Sequence, residues 1–137
     1  MTENIKLEVV TPEKSVVSED AQIVMAPGEM GEFGVLAGHT PFLTTLKTGP
    51  VKYRDATGKE RIVFVSGGFA EALPDRVTVL AESAERRKDI DVQRAQAAAE
   101  RAEKRLQTGS PDVDYFRAKA ALHRAISRLE IAKSRSL

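Results

Sequence analysis

DIDVQRAQAAAERAEKRLQTGSP, residues 89–111, is the stretch in which the chain changes its period. Val92, Ala95, Ala99, Ala102 and Leu106 recur at intervals of three and four, a heptad-like seam along one helix face. Asp89 stands where an N-cap is expected, and Asp91 adds negative charge to the first turn. Thr108, Gly109, Ser110 and Pro111 close this helix and open another, with Gly for the C-terminal end, Ser as cap and Pro at the first helical position. Ala118, Leu122, Ala125, Leu129 and Ala132 repeat the seam. So short a connection makes the two helices antiparallel neighbours, over about residues 89–107 and 111–134.

Upstream of this stretch the period is two. Ile5, Leu7 and Val9 alternate with Lys6 and Glu8, the pattern of a half-buried strand. Gln22–Met25, Val51–Arg54, Arg61–Ser66 and Arg76–Leu80 read the same way, each flanked by Gly, Pro, Asp or Thr. Asp55, Ala56, Thr57 and Gly58 spell a hairpin turn. Eight of the nine glycines lie between Gly28 and Gly68. The expected fold is therefore α+β: an all-β sandwich or flattened barrel over residues 1–84, then an antiparallel two-helix hairpin over 85–137. The alanine-rich hairpin seam buries little area, since a CH₂ is worth only about 0.8 kcal/mol. Such a hairpin either opens and docks elsewhere or simply rests on the β-domain, and the pattern leaves both open.

Charge divides at the same place. Residues 1–85 carry 8 Lys and Arg against 13 Asp and Glu, whereas residues 86–137 carry 13 against 7. The 137 residues include no Cys and no Trp, which removes disulfides, thiolate metal sites and cysteine nucleophiles. The first residues show neither a basic n-region nor an apolar run, so no signal peptide is expected, and no stretch is apolar for long enough to span a bilayer. His39 and His123 lie in different halves, Gly67 and Gly68 precede no helix, and Ser66 has no base placed beside it. No catalytic residue and no metal site are expected.

Two features stand out. The glycine-rich run Pro27–Pro41 reads either as turns joining strands or as a protein-binding edge, with Glu29 and Glu32 exposed and Phe33 or His39 as anchors. Arginines at 94 and 101, 117 and 124, and 128 and 135 are spaced by seven, so each pair shares a helix face. They form either a solvated basic face or a site for an anion, the acidic side chains of a partner or a phosphate. Nucleic acid is disfavoured, because one half is acidic and no stacking aromatics accompany the arginines.

The form Gly-x-x-Gly-x-x-x-Gly-His-x-Pro at Gly31–Pro41, with Ser66–Phe69 and Val77–Ala81, resembles the ε subunit family of bacterial F-type ATP synthases, called δ in mitochondria. The likeness runs over essentially the whole chain. It implies a β-domain clamped to the γ subunit and seated on the c-ring, rotating with the central stalk and coupling ion flow to ATP synthesis. Membrane association would then be peripheral, on the cytoplasmic face of the plasma membrane, through the complex alone. By the same resemblance the loop of Glu29, Met30, Gly31, Glu32 and Phe33 lies toward the c-ring, and His39 toward γ. The hairpin either folds on the β-domain or extends into the head formed by the α and β subunits. Extended, it inhibits ATP hydrolysis, with a basic face here represented by Arg117, Arg124 and Arg128.

Ile90, Asp91, Val92, Gln93, Arg94 and Ala95 are similar to the Ile/Leu-Asp-x-x-Arg-Ala motif of family members whose ε subunit binds ATP. Glu85, Arg101, Arg124 and Arg128 fill the accompanying positions. The resemblance implies no required cofactor, with ATP as a regulatory ligand of the folded hairpin. Its phosphates would lie among the arginines, and groups near Asp91 to Ala95 would read the adenine. Two other readings compete: a free nucleotide sensor outside the synthase, and a structural clamp whose hairpin never extends.

Overall fold

A computed structural model describes residues 3–134. Seven strands come first: β1 (Ile5–Val10), β2 (Ser15–Gly28), β3 (Gly31–Val35), β4 (Phe42–Asp55), β5 (Glu60–Leu73), β6 (Arg76–Leu80) and β7 (Ala84–Arg86). A 3₁₀ turn at Arg87–Asp89 leads to two helices, α1 (Val92–Thr108) and α2 (Tyr115–Lys133). The order β1-β6-β5-β4-β2 closes on itself, because β1 pairs antiparallel with the first half of β2 and parallel with β6. The β-domain is thus a flattened barrel, with β3 added beside β2 and β7 beside β5.

The alternation read from the sequence fills this barrel. Ile5, Leu7 and Val9 from β1 meet Val51, Val63, Val65, Val77 and Val79, all fully or almost fully buried. Three strands run for 14 residues each, well beyond the short segments legible in the sequence. Register shifts explain the difference. β2 changes phase between Ala21 and Ile23 and again between Met25 and Gly28 as it passes from one partner to another. Each shift breaks the two-residue period, so only the stretches between shifts read as strands. β3 lies inside the glycine-rich run, as the return of a hairpin whose two-residue turn is Glu29 and Met30.

The Ser66–Phe69 motif has a structural role. Gly68 has φ +121°, and a Cβ there would stand 2.0 Å from the carbonyl oxygen of Leu80. Ser66 accepts a hydrogen bond at Oγ from Ser83 N–H (2.9 Å) and donates its own N–H to the Ser83 carbonyl (3.0 Å). Together they let β5 hand over from β6 to β7. Asp55 closes the β4–β5 turn as expected, accepting from Thr57 N–H, Thr57 Oγ1 (2.6 Å), Lys59 N–H and Arg61 Nε. The Thr57 hydroxyl, helped by those other donors, holds its carboxyl down at about 2. Across the barrel wall, Tyr53 donates to Glu19 and accepts from Arg86 Nη1 (3.3 Å). Burial first, then the Glu19 carboxylate, pushes the Tyr53 phenol up to about 12.

Both helix starts differ from the expected caps. Asp89 belongs to the 3₁₀ turn, and Ile90 behind it is buried, so the chain is pinned before a helix can begin. Asp91 is the cap of α1, its Oδ1 accepting from Arg94 N–H at 3.0 Å. Ser110 and Pro111 likewise form a β-turn closed by Val113 N–H on the Ser110 carbonyl (3.1 Å), with Pro at its second position. The cap of α2 is Asp114, bound by Arg117 N–H (3.1 Å). Gly109 ends α1 in the left-handed conformation, as the sequence requires.

Candidate functional site: the pocket beneath the folded hairpin

α2 lies on β4 and β5, and α1 packs on α2. Ala95, Ala99 and Ala102 of α1 meet a buried face of α2 that includes Ala118 and Ala125, so the small-residue seam forms at its centre. Val92 is the exception at one end and is exposed. A second face of α2 turns to the barrel. Ile131 there forms a cluster with Phe64 and Ile90, bordered by Ile62 and Ala132. Phe64 sits between inward-facing Val63 and Val65 and therefore points out of the barrel, yet it is fully buried because the hairpin covers it. Neither Phe64 nor Ile131 stood out in the sequence. The signal was the unbroken run Val63-Phe64-Val65, which suits a strand covered on both sides.

Arg128 joins the two modules. Its Nε donates to Glu85 Oε2 at 2.7 Å, and its guanidinium carbon stands 4.3 Å above the centre of the Phe64 ring. Both charged side chains are about a quarter exposed. An ion pair so placed is worth about 1 kcal/mol or less, and the cation–π contact adds roughly 0.5–2 kcal/mol. With the small cluster beneath, they fasten the hairpin modestly.

Beside this latch lies a pocket of about 580 Å³, with walls from the β1–β2 turn, the segment 82–85 and α1. Of the residues singled out in the sequence, Glu85, Asp91, Arg94, Ala95, Arg101 and Arg128 line it. Ile90 does not; it is buried in the cluster under α2. Arg124 is half-buried on α2, one turn before Arg128, and is not part of the lining either. The helix start is partly committed. Arg94 N–H goes to the Asp91 side chain and Ala95 N–H to the Asp91 carbonyl (3.0 Å), leaving Val92 and Gln93 as the open donors of the first turn. Arg94 and Arg101 are exposed and have no carboxylate within ion-pair distance among the described residues.

The glycine-rich run has an exposed tip and two aromatic side chains held against the barrel's own Phe42. Glu29, Met30, Gly31 and Glu32 are exposed at its tip, Met30 almost completely. Phe33 and His39 are half-buried and grip the protein's own Phe42, with ring centroids 5.2 and 5.0 Å away. His39 Nδ1 also lies 2.7 Å from the Thr40 carbonyl. Further exposed apolar side chains lie on the sheet and at the start of α2, where Phe116 and Tyr115 stand out. Phe69 and Leu80 face each other across β5 and β6, and Leu43 lies on neighbouring β4, each more than half exposed. Arg117 is exposed in the first turn of α2. No helix among the described residues is long and apolar enough to cross a membrane.

Comparison with known proteins covers both modules. Residues 4–87 match the family described as ATP synthase, Delta/Epsilon chain, beta-sandwich domain, and residues 88–133 match its long alpha-helix domain. The ATP synthase epsilon chain of Desulfosudis oleivorans is 70% identical over 109 residues, 80% of this chain and 82% of that protein. That of Desulforapulum autotrophicum is 69% identical over 110 residues, 80% and 82% respectively. In a cryo-EM structure of the Euglena gracilis mitochondrial ATP synthase, showing OSCP, F1 and c-ring, one chain superposes with a TM-score of 0.81 at 26% identity. The match covers 96% of this chain and 82% of that one.

Proposed function

The chain belongs to the ATP synthase delta/epsilon family, and on that premise we propose that it is a regulatory rotor subunit whose hairpin folds onto the barrel with ATP as its ligand. In this reading the barrel rides on the γ subunit and the c-ring and couples ion flow to synthesis, itself non-catalytic and peripheral on the cytoplasmic face of the membrane. The exposed Leu43, Phe69 and Leu80 and the protruding Met30 supply apolar surface for protein partners. The released hairpin reaches the α and β subunits and restrains ATP hydrolysis through its basic residues, Arg117, Arg124 and Arg128.

One observation carries the regulatory part. The pocket of Glu85, Asp91, Arg94 and Arg101 has one wall from the barrel side and one from α1, so it exists only while the hairpin is folded. A ligand that binds there stabilises the folded hairpin by linkage, and nothing else need change. The free guanidinium groups of Arg94 and Arg101 suit a phosphate chain. Arg128, with Nε already on Glu85, serves the latch as well, so its removal would blur binding with folding.

Isothermal titration of the full chain with ATP tests the reading. Saturable binding that falls at least about tenfold in Arg94→Gln/Arg101→Gln, with helix content retained, supports it. Absence of heat up to millimolar ATP would leave the arginines to partner contacts and favour a hairpin without nucleotide control.

A further inference from the structure

The pocket beside α1 is not the most cationic cleft of the molecule. Its lining carries five carboxylates, Glu13, Glu82, Glu85, Asp89 and Asp91, against four basic side chains. At the base of the hairpin, where α1 begins and α2 ends, lies a second cleft, of about 840 Å³, whose charged lining is Lys59, Arg61, Arg86, Arg87 and Lys88 against Glu60 alone. Arg61 is paired with Asp55 (3.2 Å), Arg86 with Glu19 (3.7 Å), and Glu60 with Arg54 (3.3 Å). Lys59, Arg87 and Lys88 have no carboxylate within 4 Å among the described residues. Three cations without a carboxylate partner therefore line one cleft from two segments distant in sequence, the β4–β5 turn and the 3₁₀ turn.

We propose that this cleft is a second anion site, which takes a short chain of phosphates. Ile62, Ile90 and Ala132 form its apolar floor, beneath a rim of one charge sign that attracts a multiply charged ligand. A planar guanidinium at Arg87 and ammonium groups at Lys59 and Lys88 match phosphate oxygens spread over two or three linked groups. The floor and rim come from three parts of the fold: β5 with its turn, the 3₁₀ connector, and both helices through Val92 and Ala132. An occupant therefore bridges barrel and hairpin and favours the folded arrangement. This site shares no lining residue with the pocket beside α1 and stands whether or not that pocket binds ATP.

The probe is inorganic tripolyphosphate, titrated into the full chain at low ionic strength, with ATP as a parallel arm. Saturable binding of tripolyphosphate is expected, weakened about tenfold or more in Lys59→Gln/Arg87→Gln/Lys88→Gln and unchanged in Arg94→Gln/Arg101→Gln. Amide NMR on the unmutated chain gives a second readout that needs no variant to fold, with tripolyphosphate moving resonances of residues 59–62 and 86–90. ATP competing through the same three residues would identify a nucleotide tail as the source, and ATP failing to compete would identify the free phosphate chain. No saturable binding, binding untouched by the triple substitution, or shifts confined to residues 91–101 would overturn the proposal.

Discussion

The barrel and the hairpin bury side chains in opposite ways. The barrel closes a ladder of hydrogen bonds on itself and fills the interior with Val, Ile and Leu, most of them wholly inaccessible. The hairpin buries mainly alanine between its helices and meets the barrel through one small cluster and one ion pair. Each large apolar side chain fully buried is worth roughly 1.5–3 kcal/mol and an alanine much less. This contrast in burial is what supports the proposal that the barrel is a mount from which the hairpin lifts without unfolding it.

Substitutions in each module test this contrast. The largest effect is expected from Gly68→Ala, where the new Cβ collides with the Leu80 carbonyl in a backbone conformation that disfavours any side chain. A loss of about 3 kcal/mol or more is expected in denaturant unfolding of the barrel. Ile131→Ala removes a buried side chain from the docking cluster, at a cost of about 2–4 kcal/mol. Its effect should fall on hydrogen exchange in α2, leaving β1, β5 and β6 protected as before. If the barrel amides lost protection equally, the two modules would be one cooperative unit. Glu85→Gln is milder, about 1 kcal/mol, and shows as faster exchange in α2 that high salt reproduces in the unmutated chain.

A pH dependence confined to the barrel sharpens the same contrast from the other side. The Asp55 carboxyl lies near 2 in the folded chain, below its ordinary 3.8. Its contribution is whole above about pH 4 and is lost as the pH falls toward 2, because the unfolded chain takes up the proton first. Asp55→Asn should flatten that part of the stability profile, measured by denaturation from pH 5 to 2. An unchanged acid limb would remove the turn from the account.

Much of this contrast was legible in the sequence. The switch from period two to period 3.6 near Asp89 separates strands from helices, and Gly109 marks the end of α1. Three things were hidden. The long strands change phase at bulges, so β2 read as a fragment and β3 as a loop. α2 buries two faces rather than one, and a search for a single seam passes over Ile131 and Ser127. The latch joins residues 43 positions apart, Glu85 and Arg128, and no local spacing announces such a pair. The residues around the pocket came from a family likeness; only the fold shows which of them share a wall, with Ile90 turned into the core and Arg124 left to one side.

Native-state hydrogen exchange of the full chain, with and without saturating ATP, decides whether the hairpin opens as a unit of its own. We expect α1 and α2 to exchange through a small opening that leaves the barrel closed, and ATP to slow exchange in both helices and not in the barrel. Helix and barrel amides exchanging through one common opening, or helix protection indifferent to ATP, would contradict it.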